Sequence, residues 1–127
     1  TLDEIPSVYG GSLHEKSHGE SFLALVQNRF RGHGLYLLDE PEAALSPMRL
    51  LTLMGEIDRL TEAGSQFIIS THSPILMAFP GAEVLEITGA GIRSVPYRET
   101  EHFTVTRSFL ENPERMLRIL LDKDAGE

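Results

Sequence analysis

Apolar positions along the chain fall into two spacings. Phe22, Leu25, Val26 and Phe30 recur at helical intervals and predict a helix that begins near Ser17 to Ser21 and stops at Gly32-His33-Gly34. The residues ahead of it, with Pro6 and the Gly10-Gly11 pair, read as irregular, and Thr1 to Tyr9 is a poor strand. Leu35-Tyr36-Leu37-Leu38 is a short continuous apolar run between glycine and acids, the pattern of a strand buried on both faces. Ser46 and Pro47 then supply an N-cap and a first-turn proline for a helix whose stripe is Leu50, Leu53, Met54, Ile57 and Leu60, ending at Gly64. Gln66 to Ser70 holds a second buried run, Phe67-Ile68-Ile69. Strand, helix and strand of these lengths make a βαβ unit with parallel strands and a right-handed crossover. Further on, Val84-Leu85-Glu86-Ile87 and Ile92 to Tyr97 flank Gly89-Ala90-Gly91 and predict a hairpin. Asn112-Pro113-Glu114 opens a closing helix that carries Met116, Leu117, Leu120 and Leu121. The expected fold class is therefore α/β.

Composition bounds this picture. The 127 residues, 41% apolar, are the size of one small domain, and no repeat or low-complexity tract marks a linker. No apolar run approaches the roughly 18 residues that span a bilayer, and Leu2-Asp3-Glu4 does not resemble a basic and then apolar leader, so a soluble, cytoplasmic protein is expected. Cysteine is absent, which removes disulfides, thiolate zinc sites and cysteine nucleophiles. The net charge of −8 argues against coating nucleic acid by charge alone.

Three segments carry candidate chemistry, each at a strand end or a helix start, where α/β folds place ligands. Asp39-Glu40 follows the first apolar strand; successive strand residues point to opposite faces, so the two carboxylates can serve separate tasks. Asp39 could hold Mg²⁺, directly or through water, while Glu40 polarises a water aimed at a phosphate. The same pair could instead cap the following turn. Ser70-Thr71-His72-Ser73-Pro74 ends the second strand, beside the first site, where His72 could donate to a phosphate oxygen or simply occupy a turn. Ser17-His18-Gly19-Glu20-Ser21 precedes the first helix and reads either as an anion site built on exposed N–H groups or as an ordinary cap.

In this order and spacing, the three segments together with Ala43-Ala44-Leu45-Ser46 resemble the C-terminal half of an ATP-binding-cassette (ABC-type) ATPase domain. The wording Asp-Glu-Pro-Glu-Ala-Ala-Leu-Ser and Thr-His-Ser-Pro is most similar to bacterial AAA-labelled, cassette-like ATPases. The resemblance covers about Ser17 to Ser73 and implies a partial P-loop NTPase fold of three layers. It also implies the parts: a signature loop at 17–21, a Walker B strand at 35–40, a D-loop at 43–46 and a switch histidine at His72. On it, Glu40 and His72 are catalytic, Asp39 holds Mg²⁺, and Ser17, Gly19 and Glu20 bind the ATP of a partner protomer, with Ser46 in the D-loop. His18 stands where the common signature has glycine, Glu20 where it has glutamine, and Ser46 where the D-loop has aspartate. Residues 83–122 would form an accessory hairpin and helix.

A P-loop needs Gly-x-x-x-x-Gly-Lys-Ser/Thr, yet Lys16 and Lys123 are the chain's two lysines. Gly10 to Ser17 is a near miss with Glu15 in place of the second glycine, and reads as coincidence. The resemblance thus implies that the P-loop half lies before residue 1, that the chain is the signature and Walker B half of a soluble ATPase, and that it hydrolyses ATP only when completed and paired head to tail with a second copy. The isolated chain is expected to be inactive. Two alternatives stay open: a non-catalytic interaction module derived from the fold, and the ATPase subunit of a transporter. A nucleic-acid partner has no support in the residues present, and fold-level likeness does not choose among the processes such an engine drives. Strands 35–38 and 67–70, deprived of neighbours, should also promote association.

Overall fold

The computed structural model describes the backbone of residues 7–9 and 15–121, with side chains from Phe22 onward. The chain divides into two compact units, Thr1–Phe79 and Pro80–Glu127.

The first unit is built on a parallel sheet. Strand β1 (Ser7–Tyr9) leads to helix α1 (Glu15–Arg29), strand β2 (Leu35–Asp39), a 3₁₀ turn (Pro41–Ala44), helix α2 (Pro47–Glu62), strand β3 (Gln66–Ser70) and a second 3₁₀ turn (Leu76–Ala78). The sheet order is β1-β2-β3, with Val8 opposite Leu38 and Leu38 opposite Ile69. The predicted βαβ unit is β2-α2-β3, its strands parallel as the intervening helix requires.

Three local expectations are corrected. Ser7–Tyr9, read as a poor strand in an irregular region, pairs with β2. Three residues are too few to show a periodic pattern, so pairing with a strong neighbour decides their state. Helix α1 begins at Glu15, ahead of the expected Ser17 to Ser21 start, because Glu15 and Lys16 are themselves good helix formers. The third concerns burial. Tyr36 and Leu38 are 3% and 2% exposed, whereas Leu37 is 39% and Ile68 55% exposed. The apolar run predicts burial on both faces, but among the described residues the helices cover one. Leu37 and Ile68, which are opposite each other in register, lie on the second face.

On the covered face a single cluster joins Phe22 and Val26 of α1, Phe30 just after it, Tyr36 and Leu38 of β2, Leu50, Leu53, Ile57 and Leu60 of α2, and Leu76. Each such side chain contributes about 1.5–3 kcal/mol of hydrophobic burial. Tyr36 carries a polar end into this core: its ring stacks on Phe30 at 4.2 Å, and its hydroxyl accepts from the Arg31 N–H at 2.6 Å and donates to the Arg31 carbonyl at 2.9 Å. The junction between α2 and β3 is tight. Gly64 has φ of 96°, and a Cβ there would fall 2.6 Å from His33 Nδ1, so both its backbone and its surroundings require glycine.

In the second unit, β4 (Leu85–Thr88) pairs antiparallel with β5 (Gly91–Ser94) across Gly89-Ala90, and Glu86 meets Arg93 across the strands at 3.0 Å. Helix α3 (Glu101–Glu111) was not foreseen; Thr100 caps it, its hydroxyl accepting from the Phe103 N–H at 3.1 Å. Asn112 accepts from the Arg115 N–H at 3.1 Å at the head of α4 (Pro113–Leu121), with Pro113 in the first turn as expected. No described helix is long and apolar enough to cross a membrane.

Candidate functional site

Because β2 and β3 are parallel, their carboxyl ends meet at one edge of the sheet. Asp39 is paired with Ser70 at the last rung, so the residues that follow each strand emerge side by side. Sequence alone separates Glu40 from His72 by more than thirty positions; this register joins them.

Asp39 alternates with buried Leu38 and is exposed, on the same side of β2 as Leu37. Its carboxylate has no hydrogen-bond partner among the described residues. Glu40 leaves the strand with φ 47° and ψ 55°, in the left-handed region that non-glycine residues rarely occupy. Two backbone bonds hold it there: its N–H donates to the Ser70 carbonyl at 2.7 Å, and its own carbonyl accepts from the Ala43 N–H at 3.1 Å. Pro41, fully buried, anchors the turn from the other side and disfavours right-handed helix at Glu40. A conformation costing on the order of 1–3 kcal/mol is kept by its surroundings, as is common where a side chain must be aimed.

Glu40 Oε1 lies 3.9 Å from His72 Nε2, with the two side chains 48% and 73% exposed. That separation is too long for a direct hydrogen bond, and solvent screens whatever attraction acts across it. The loop bearing His72 is held by other groups. Glu42 Oε1 accepts from Thr71 Oγ1 at 2.6 Å, and Glu42 Oε2 accepts from the His72 N–H at 2.8 Å. Thr71 Oγ1 also accepts from the Ser73 N–H at 3.0 Å. Ser73 Oγ accepts from the N–H groups of Ile75 and Leu76, both at 3.2 Å, which closes the turn. Thr71 and Ser73 lie in the candidate segment 70–74 without a role of their own in the sequence reading, and Glu42 has none there. In the sequence Glu42 is only the third acid of Asp-Glu-Pro-Glu, and its partners lie some thirty positions away, beyond any local spacing rule.

The remaining candidates lie as follows. Ser46 caps α2, its hydroxyl accepting from the Arg49 N–H at 3.2 Å, as its place before Pro47 predicted. Ser17, Gly19 and Glu20 lie within α1 rather than ahead of it, and their side chains are outside the described residues. Gly10 to His14 of the P-loop near miss, and Lys123, are also outside them. Among the described residues no group of three or more His, Asp or Glu is arranged to hold a metal ion. An exposed lone carboxylate such as Asp39 suits a cation that keeps most of its waters and takes further oxygens from phosphate, which is the habit of Mg²⁺.

A mixed α/β unit with a parallel sheet, and with carboxylates where a strand gives way to a loop, fits a P-loop NTPase-like fold. Comparison with known proteins agrees at that level. Residues 18–78 match the family described as "AAA domain, putative AbiEii toxin, Type IV TA system". A protein of Vibrio cholerae serotype O1 biovar El Tor named "Retron Vc95 probable ATPase" is 28% identical over 95 residues, which cover 75% of this chain and 18% of that protein. The chain thus spans under a fifth of this relative's length. No solved structure matches. These likenesses support an AAA- or ABC-like ATPase region in the chain.

Proposed function

We propose that the chain supplies the Walker B carboxylates and the switch histidine of an ABC-type ATPase, and that Glu40 is the group that orients the attacking water. The observation carrying this reading is the left-handed Glu40, held by Ser70 and Ala43 so that its carboxylate stands beside His72 at the carboxyl ends of two parallel strands. A carboxylate in no direct hydrogen bond with the histidine keeps its lone pairs for a water. Glu40 accepts that water's hydrogen bond and directs its oxygen at the γ-phosphorus of ATP. His72 donates a hydrogen bond to a γ-phosphate oxygen, where charge accumulates during transfer. Asp39, on the opposite side of the strand from Leu38, would hold Mg²⁺, which when bound would offset the negative charge of the phosphates.

The finer assignments extend this reading. Ser17, Gly19 and Glu20 form the signature segment that faces the nucleotide of a partner protomer, and Ser46 belongs to the D-loop. The P-loop comes from a preceding half of the same ATPase, and the active species is a head-to-tail dimer. The name "probable ATPase" carried by the Vibrio relative supports the activity. Turnover of ATP by the whole protein that contains this chain is the test. Glu40→Gln should lower kcat by about 10²-fold or more while ATP still binds; undiminished hydrolysis would sink the assignment.

A further inference from the structure

We propose that Glu42 is a positioning residue that holds His72 beside Glu40 by clamping the loop after β3 to the turn after β2. The role rests on the reading of Glu40 and His72 given above. Glu42 meets His72 at its backbone N–H. It sits in the Pro41–Ala44 turn, partly buried, with its carbonyl accepting from the Leu45 N–H at 3.1 Å.

Each of its carboxylate oxygens takes one donor from the facing loop, Thr71 Oγ1 at 2.6 Å and the His72 N–H at 2.8 Å. Bonds to an ionised acceptor are about twice as strong as neutral ones, and two of them from one rigid carboxylate fix orientation as well as distance. The Glu40 to Ser70 backbone bond ties the strand ends, but it stops two residues short of His72. Glu42 reaches His72 itself, at its backbone N–H. Thr71 extends the clamp through its bond from Ser73, whose hydroxyl in turn closes the Ile75 and Leu76 turn. Glu42 thus fixes the stretch of backbone from which the His72 imidazole extends toward Glu40, and a displacement of about 1 Å at such a site can cost about 10²-fold in rate.

Two readouts test the clamp. Amide hydrogen exchange of the chain, followed by NMR, should show the His72 N–H protected in the native protein. In Glu42→Ala its protection should fall about tenfold or more, with the Ile68 and Ile69 amides of β3 unchanged as the control for folding. Glu42→Gln can still accept from the His72 N–H through its one oxygen and donate to Thr71 Oγ1 through its amide nitrogen, so it should retain an intermediate protection. In the whole protein, Glu42→Ala should lower kcat for ATP about tenfold or more with KM little changed, and Glu42→Gln should fall between it and the native enzyme. Unchanged His72 protection in Glu42→Ala overturns the clamp. Lost protection with native kcat overturns its role in positioning, provided that Glu40→Gln is inactive in the same assay. If Glu40→Gln instead turns over normally, the reading of the site fails, and the positioning role with it.

Discussion

Replacing Glu40 by glycine should stabilise the protein relative to replacing it by alanine, the reverse of the usual order. At most positions glycine is the worse choice by about 0.5–1 kcal/mol, because the unfolded chain gains freedom. Glu40 is held at φ 47° and ψ 55°, where a Cβ costs roughly 1–2 kcal/mol and glycine nothing. The central values of these two ranges leave about 0.75 kcal/mol in favour of glycine. Other terms cancel. Both variants keep the 2.7 Å backbone bond to Ser70 and the 3.1 Å bond from Ala43, and both lose the 3.9 Å contact with His72, whose exposed partners contribute little. With a urea m-value of about 1–3 kcal/mol/M, the midpoints should differ by roughly 0.2–1 M, read by circular dichroism. An alanine variant equal to or more stable than the glycine variant would refute the inference that the backbone here is strained. The functional corollary is that both variants lose the carboxylate, so stability and turnover should move apart, as expected where strain is kept for aiming a group.

Leu53, 0% exposed at the centre of the cluster, should cost about 2–5 kcal/mol when truncated to alanine, measured as a shift in the same denaturation midpoint. Ile68, 55% exposed on the uncovered face of β3, should tolerate Ile68→Thr within about 0.5 kcal/mol, because threonine keeps the β-branch. The same substitution should reduce self-association in light scattering, and unaltered association would show that this face does not drive it.

Much of the first unit was legible from local pattern. The α2 stripe, the Ser46-Pro47 start and the Gly64 stop were all read in place, because each depends on neighbours within a turn or two. The strands at 35–39 and 66–70 and their parallel pairing followed from run length and from the helix between them. The short β1 did not, since only its partner defines it. Asp39, Glu40 and His72 were legible as residues at strand ends. Their approach depended on the register that sets Asp39 opposite Ser70, and the left-handed turn at Glu40 was hidden because Pro41 excludes one region without selecting another.

The sequence by itself determined the elements whose signals are local and repeated: amphipathic spacing, caps, proline and glycine stops, and acids placed directly after an apolar run. Only the tertiary structure decided which face of the sheet is covered, where Glu40 points, and that Glu42 spans to Thr71 and His72. The reason is physical. A helix is specified by contacts three and four residues apart, whereas a carboxylate finds donors about thirty residues away only after the strands have paired and brought both loops to one edge.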